Sequence, residues 1–448
     1  MIDTAALRKK ILKSAVTGKI TKQLDSDTPV SSDLKEYIPT QLDIDLDDIP
    51  DTWKYCKFDE VIINRDSERI PVSVADRKKL DKVYDYYGAS GVIDKVDRYL
   101  FDKDLLLIGE DGANLLSRST PIAFIARGKY WVNNHAHVLD VTEHILLEYV
   151  ELIINSMSLV PYVTGAAQPK LSQGMMNKIA LPVAPIEEQQ RIVDTVKVAF
   201  DMLDQIDELQ QQYSSDLEVL KSKIIDAGIQ GKLTEQLPED GTAGELLKQI
   251  AEEKKLLIKE KKIKTTKTLP EITEDEMPFE IPDNWKWVHL EDTGVLQTGA
   301  TPPKTDPEYF GNDIPFLSPG EIKDNTIVSY DKQGLSKLGI EKARVVDENS
   351  VLQVCIGGSI GKAAINDRKV TFNQQINSLT PILCEAKYLF YCMISSQFIG
   401  KIQMASAGAA TPIINKSKWG ELIIPLPPVN EQIRIVERIE TILNAINN

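Results

Sequence analysis

Cysteine is scarce in this chain, and the four that occur, Cys56, Cys355, Cys384 and Cys392, lie apart and form no CxxC pair. That spacing excludes a disulfide framework and a zinc ribbon, and it suits a reducing, cytoplasmic setting. No apolar run approaches the roughly 18 residues that a membrane helix needs. The opening MIDTAALRKKILKSAV is amphipathic and charged, so neither a signal segment nor a membrane partner is expected. A basic excess is also missing. The formal net charge of −15 argues against a chain that simply coats DNA, because such binders carry a basic footprint. The acid is uneven: QLDIDLDDIPD at 41–51 is dense in aspartate, whereas 53–181 and 285–424 are each close to neutral. A near-neutral globule can still present a basic face. With 448 residues, 42% of them hydrophobic and 27% charged, the chain is globular and too long for one ordinary domain.

Internal repetition is abundant. LPVAPIEEQQRIV begins at 181 and IPLPPVNEQIRIV at 424, 243 residues later. LRKKILKSAVTGKITKQL (7–24) returns as LKSKIIDAGIQGKLTEQL (220–237), which places Leu7, Lys10, Ile11, Gly18, Lys19 and Leu24 on Leu220, Lys223, Ile224, Gly231, Lys232 and Leu237. IPDTWK (49–54) matches IPDNWK (281–286), and TGAAQPKL (164–171) matches AGAATPII (407–414). VNNHAHVL (132–139) is a fainter match to FNQQINSL (372–379). Both halves therefore run in one order: helix piece, linker, Ile-Pro-Asp-x-Trp-Lys, globule, Gly-x-x-x-Pro loop, then proline and a helix. The second linker is longer, and its EEKKLLIKEKKIKTTK suggests a solvated helix followed by an extended arm.

The central helix carries a heptad seam. Ile192, Val196, Ala199, Leu203, Ile206, Tyr213, Leu217, Leu220 and Ile224 alternate by four and three, with Gln210 as the polar exception. Glu187 and Glu188 suit its first turn, and Gly228 and Gly231 are expected to stop it. Some 45 residues would reach roughly 65–70 Å. Ile435, Ile439, Ile442 and Ile446 map onto the first part of this seam, and Leu7 and Ile11 onto its last part. By the same offsets Asn448 falls on position 205 and Met1 on 214. The two end helices thus rebuild the central one, and the chain ends are expected to meet. The fold class is α+β: two α/β-type globules separated by a pair of long antiparallel coiled-coil helices, in a cyclic, pseudo-twofold arrangement. The expected segments are 1–24, an N-terminal helix completing the C-terminal one; 25–52, an acidic linker; 53–181, the first globule; 182–237, the central helix; 238–284, a Lys-rich linker; 285–424, the second globule; and 425–448, the C-terminal helix.

Inside the globules, TEHILLEYVELIINSM and EAKYLFYCMISSQF look like amphipathic helices, and YLFDKDLLLIGE and VVDENSVLQVCIG look like strands ending in glycine turns. GGSIGK (357–362) is one residue short of a phosphate loop and has Ala363 where serine or threonine belongs, so it reads as a turn. Asp313, Glu321 and Lys323 loosely suggest a nuclease carboxylate set. His135 and His137 lack an evident third metal ligand.

This order of motifs resembles the specificity subunit of type I restriction–modification enzymes along nearly the whole chain. The likeness rests on PIEEQQRIV and PPVNEQIRIV opening the helices, on VTGKITKQL and IQGKLTEQL closing them, and on FEIPDNWKWVHL, IPFLSPGEI, QPKLSQG and TPIINKS in the globules. It implies two target-recognition domains, each reading half of an asymmetric, gapped site in double-stranded DNA, with the helices setting the gap. It also implies two modification (methyltransferase) and two restriction (translocase/endonuclease) partner subunits. S-adenosylmethionine, ATP and magnesium would sit on those partners, this chain being non-catalytic with no cofactor or metal of its own. Candidate DNA contacts are Tyr86, Tyr87, Ser90, Asn114, Arg118, Asn133, Asn134, His135 and Lys170 in the first globule. In the second they are Lys304, Thr305, Ser318, Lys323, Asn373, Gln374 and Gln375; Asn and Gln can pair with adenine at two points. The alternatives are a coiled-coil scaffold whose globules bind protein, and a metal-dependent nuclease using Asp313 and Glu321.

Overall fold

The computed structural model describes residues 1–38, 40, 48–165, 168–265, 269–323, 327–408 and 411–447. Most of the aspartate-rich run (41–47), the centres of the two Gly-x-x-x-Pro loops (166–167 and 409–410), part of the lysine-rich arm (266–268) and Asn448 lie outside the described residues. The chain divides into two units, Met1–Tyr213 and Ser214–Asn448.

In the first unit, helix α1 (Thr4–Val16) starts at Asp3, whose carboxylate accepts the Ala6 N–H. Helix α2 spans Leu147–Ser156. The 44-residue helix α3 (Ile186–Ile229) begins in this unit with Glu187 and Glu188 in its first turn, where carboxylates oppose the helix dipole. α1 and α3 run antiparallel: Ile2 meets Gln210, Thr4 donates to Asp207 at 2.6 Å, and Arg8 donates to Asp204 at 2.7 Å. Strands β1 (Lys54–Lys57) and β10 (Ala180–Val183) close the globule as an antiparallel pair. One sheet has the order β2-β9-β6-β7, from Ile62–Asn64, Ala136–Val141, Leu105–Gly109 and Ala123–Ala126. The other has the order β4-β3-β8-β5, from Gly91–Val96, Tyr84–Gly88, Lys129–Val132 and Phe101–Asp102, with β3 and β8 parallel. All of β6 is buried, and its alternation feeds two cores. Leu106 and Ile108 join Trp53, Tyr149, Ile192 and Val196, whereas Leu105 and Leu107 join Phe101 and Tyr130.

Burial pushes the Glu151 carboxyl on α2 up to about 7, and neighbouring Glu148 adds to the rise. The folded form therefore holds this proton more tightly than the unfolded chain. The stability it contributes is full below the unfolded value and is lost as pH rises towards 7. Glu151→Gln is expected to stabilise by about 1–2 kcal/mol at pH 8, after allowance for partial exposure, with no gain at pH 4. Thermal melts of both proteins at the two pH values check this; an equal shift at both would refute it.

The second unit repeats the plan. β11 (Lys286–His289) pairs with β19 (Ile423–Leu426). A sheet of order β12-β18-β15-β16 (Gly294–Thr298, Ile376–Pro381, Val351–Val354, Ala363–Ile365) repeats the first unit's β2-β9-β6-β7 order. β13 (Phe316–Leu317) lies parallel to β17 (Val370–Phe372), as β3 does to β8, and β14 (Val345–Val346) flanks β17. Helix α7 (Val429–Asn447) packs antiparallel on the end of α3.

Three details depart from expectation. Gly228 does not stop α3. It lies inside the helix, where a Cβ would stand 2.6 Å from Ile439 Cδ1, so its bare face is what admits α7. Gly231, with φ +70°, supplies the left-handed stop. The lysine-rich stretch belongs to a longer helix, α4 (Ala243–Lys259): its 252–260 part is largely exposed, as expected, but the helix starts earlier, where Ala243, Leu246 and Ile250 are buried and Thr242 and Glu245 form a capping box. EAKYLFYCMISSQF is two helices, α5 (Ala386–Ile394) and α6 (Ser396–Ala405), because Ser395 ends one and its hydroxyl caps the other.

The seam is buried at Ile192, Val196, Leu203, Ile224, Ile435 and Ile439, and half-buried at Ile11, Ala199, Ile206, Leu217, Ile442 and Ile446. Leu7, Tyr213 and Leu220, expected to pair, are exposed. Tyr213 lies three residues beyond Gln210, which accepts the Ile2 N–H just ahead of α1.

Candidate nucleic-acid interface and its supports

Each globule is held to its helix by a buried carboxylate. Glu188, fully buried in the first turn of α3, accepts from the Trp53 indole at 2.9 Å, the Thr21 hydroxyl at 3.0 Å and the Gln23 amide at 2.7 Å. In the second unit Glu431, also fully buried, accepts from Trp285 at 2.9 Å, Thr234 at 3.2 Å and Gln236 at 2.8 Å. Gln189 donates to the Ala184 and His144 carbonyls and accepts the Leu146 N–H, while Gln432 donates to Pro427 and accepts from Glu385. Arg191 forks onto Asp27, as Arg434 does onto Asp240, and these hydrogen bonds hold both carboxyls below the usual aspartate range. The repeated Glu-Gln-x-Arg, Gly-Lys-x-Thr-x-Gln-Leu and Ile-Pro-Asp-x-Trp-Lys strings are therefore the parts of one clasp, made twice. The repeats exposed these residues, but sequence reading did not assign them a shared job.

At the other end of each sheet, matched loops meet. The β8–β9 turn sets Asn133 Oδ1 on the His135 N–H at 2.8 Å, and the β17–β18 turn sets Asn373 Oδ1 on the Gln375 N–H at 3.0 Å. Glu110 N–H donates to the His135 carbonyl as Cys355 N–H does to Gln375. Gly112 N–H reaches Pro169 as Gly357 N–H reaches Pro412. Pro169 and Pro412, which end the Gly-x-x-x-Pro strings, thus lie beside these turns in both globules.

The candidate contacts divide sharply. Tyr86 is a core residue at 1% exposure, its hydroxyl bound to Val72 and its ring under Arg77, so it is not a surface group. Tyr87 is half-buried, stacked on Phe124 and set edge-on to Tyr130. Arg118 takes a left-handed backbone (φ 50°) and donates to the Ile154 and Met157 carbonyls, finishing α2. Asn114 closes its own loop onto Ser119 and Thr120. Asn133 and Asn373 are spent on their turns, and Ser318 caps the turn at Glu321. Exposed are Ser90 at the β3–β4 turn, Asn134, His135 and Lys170 in the first unit, and Lys304, Thr305, Lys323 and Gln374 in the second. Gln375 is half-buried and accepts from Asn373. His135, Lys170 and Asn134 gather at one end of the first globule; Gln374, tied to Thr301 at 2.6 Å, stands at the matching turn of the second.

Asp313 accepts the Lys337 N–H, and Glu321 is taken by the Ser318 cap and by Lys332 at 3.5 Å, so each suspected nuclease carboxylate serves its own loop. GGSIGK forms the turn after β15. His137 is buried between Asp66 at 2.6 Å and the Leu171 carbonyl at 2.8 Å, away from any metal role with His135. Among the described residues no acid, His and Cys group could hold a metal, and no helix is long and apolar enough to cross a membrane.

Two matched domains, each clasped to a helix at one end and offering divergent loops at the other, define a paired recognition protein. The chain belongs to the family described as type I restriction modification DNA specificity domain, whose model matches residues 50–214 and 282–448. It is accordingly a specificity subunit with two target-recognition domains. It is 23% identical to the type I restriction enzyme EcoEI specificity subunit of Escherichia coli, over 97% of this chain and 88% of the relative. The Escherichia coli EcoAI specificity subunit is 30% identical over 51% of this chain and 40% of its own. Among solved structures, a chain from work on complex assembly and conformational transition of the type I restriction–modification system matches with TM-score 0.59 and 15% identity, covering 89% of this chain and 92% of that one. This likeness establishes the shared fold.

Proposed function

We propose that each target-recognition domain reads one half of an asymmetric, bipartite site in duplex DNA, and that the helices set the unread gap and dock modification subunits. The observation that carries this is the pairing of identical clasps with different loops. The frame's carboxylate, indole and arginine bonds are repeated in both units while the loop chemistry differs, as two readers of two targets require. Val198, Met202, Leu209 and Tyr213 are exposed along α3 and fit a docking role for partner helices. The complex comprises two modification and two restriction subunits acting in the cytoplasm. Adenine is methylated by the partner, which supplies S-adenosylmethionine and flips the base, while ATP and magnesium serve the restriction subunits. This chain supplies recognition and no catalysis.

The test is co-expression with a modification subunit, followed by sequencing of methylated DNA. One gapped, asymmetric motif is expected, and exchanging residues 53–180 for another such globule should alter only one half of it. Ungapped methylation, or a swap that alters both halves, would overturn the reading.

A further inference from the structure

The loops of the first globule rest on a set of charges that the second globule lacks. Arg69 donates to Glu110 Oε2 and to the Ala136 carbonyl, both at 2.7 Å. Lys170 lies 3.0 Å from Glu110 Oε1, and His135 Nδ1 lies 2.8 Å from Asp111 Oδ2. The Asp111 and Lys170 backbones form a bridge, so these side chains share one patch. The frame itself does not need them. Its counterpart in the second globule places Cys355 at the position of Glu110, Gln375 at that of His135, and Ile356 and Ile413 at those of Asp111 and Lys170, with the same backbone bonds. Charges dispensable to the fold, and collected at the reading end, point to a ligand.

The polarity of the patch says which one. Lys170 and His135 stand outermost, their side chains 54% and 51% exposed, above Glu110 and Asp111 at 12% and 20%. The charges largely cancel, so the patch adds little to sequence-independent attraction for phosphate. It offers instead a fixed donor, the Lys170 ammonium, beside a fixed acceptor. That acceptor is Asp111 Oδ1, which has no hydrogen bond among the described residues, its partner oxygen being held by His135. In the major groove a G·C pair presents acceptors on guanine (O6 and N7) next to a donor on cytosine (N4), whereas thymine presents an acceptor at that place.

We propose that Lys170 and Asp111 are specificity-determining residues that read a G·C pair in the first half-site, with His135 and Arg69 positioning them. This rests on the function proposed above. The test uses the full chain in its methyltransferase complex, with the first half-site defined as the half that changes when 53–180 is exchanged. The parent motif should contain a G·C pair there. Asp111→Asn, which keeps one amide oxygen for His135 and puts an NH2 donor in place of the free carboxylate oxygen, should admit thymine in place of cytosine at that pair. Lys170→Ala, at an exposed side chain, should reduce discrimination at the pair by roughly 10- to 100-fold. The second half should be unchanged in both variants, which also reports a folded, assembled complex. A first half-site without G·C, variants that leave the motif as it was, or equal relaxation of both halves would overturn the proposal while leaving a gapped motif in place. Loss of the gapped motif in the parent would overturn the function proposed above as well.

Discussion

Alanine at Glu188 is expected to destabilise the N-terminal unit by about 3–5 kcal/mol. Its carboxylate is the common acceptor for the Trp53 indole, the Thr21 hydroxyl and the Gln23 amide, and it is fully buried. Removing it strands the buried Trp53 indole N–H, takes the shared acceptor from the half-buried Thr21 and the exposed Gln23, and leaves a cavity at the helix start; a stranded buried donor costs roughly 1–3 kcal/mol. Glu187, its exposed neighbour, bonds Thr28 among the described residues, and Glu187→Ala should leave stability nearly unchanged. Urea unfolding followed by tryptophan fluorescence measures both. Comparable losses for the two variants would show that the clasp does not hold the domain. Glu431→Ala in the second unit is the twin, with Trp285, Thr234 and Gln236 as the stranded groups.

Valine at Gly18 or Gly231 should cost a similar amount for a different reason. Both glycines adopt left-handed backbone, φ +66° and +70°. A Cβ on Gly18 would stand 2.5 Å from Pro50 Cγ and 3.1 Å from Trp53, and one on Gly231 would stand 2.8 Å from Pro282 Cγ and 3.3 Å from Trp285. About 1–2 kcal/mol of backbone strain joins about 1–3 kcal/mol of overpacking, giving a loss of about 2–5 kcal/mol in each unit. Gly128, with φ +72° and nothing within 4 Å, is the control. Gly128→Asn should shift stability by less than about 1 kcal/mol, since asparagine tolerates this conformation. If Gly18→Val melts with the parent protein, the close approach of Pro50 and Trp53 to this turn is wrong.

What the sequence by itself determined is the twofold plan. The repeated strings are legible because a buried carboxylate, an indole and a left-handed glycine under a proline leave little freedom of substitution, so both copies spell alike. Helix extents were legible for the same kind of local reason, periodicity and capping, except at Gly228 and Ser395. There the outcome hangs on Ile439, which a linear reading cannot set beside Gly228, and on a single hydroxyl that ends one helix and starts another. Only the tertiary structure decided which polar loop residues are free to meet DNA. Arg118 looked like a groove cation until Ile154 and Met157 claimed it, 36 and 39 residues along the chain. Tyr86 and Tyr87 are neighbours in one strand, yet the pleat sends the first into one cluster and the second towards another. A side chain's availability depends on partners from distant segments, and neither spacing nor composition carries that information.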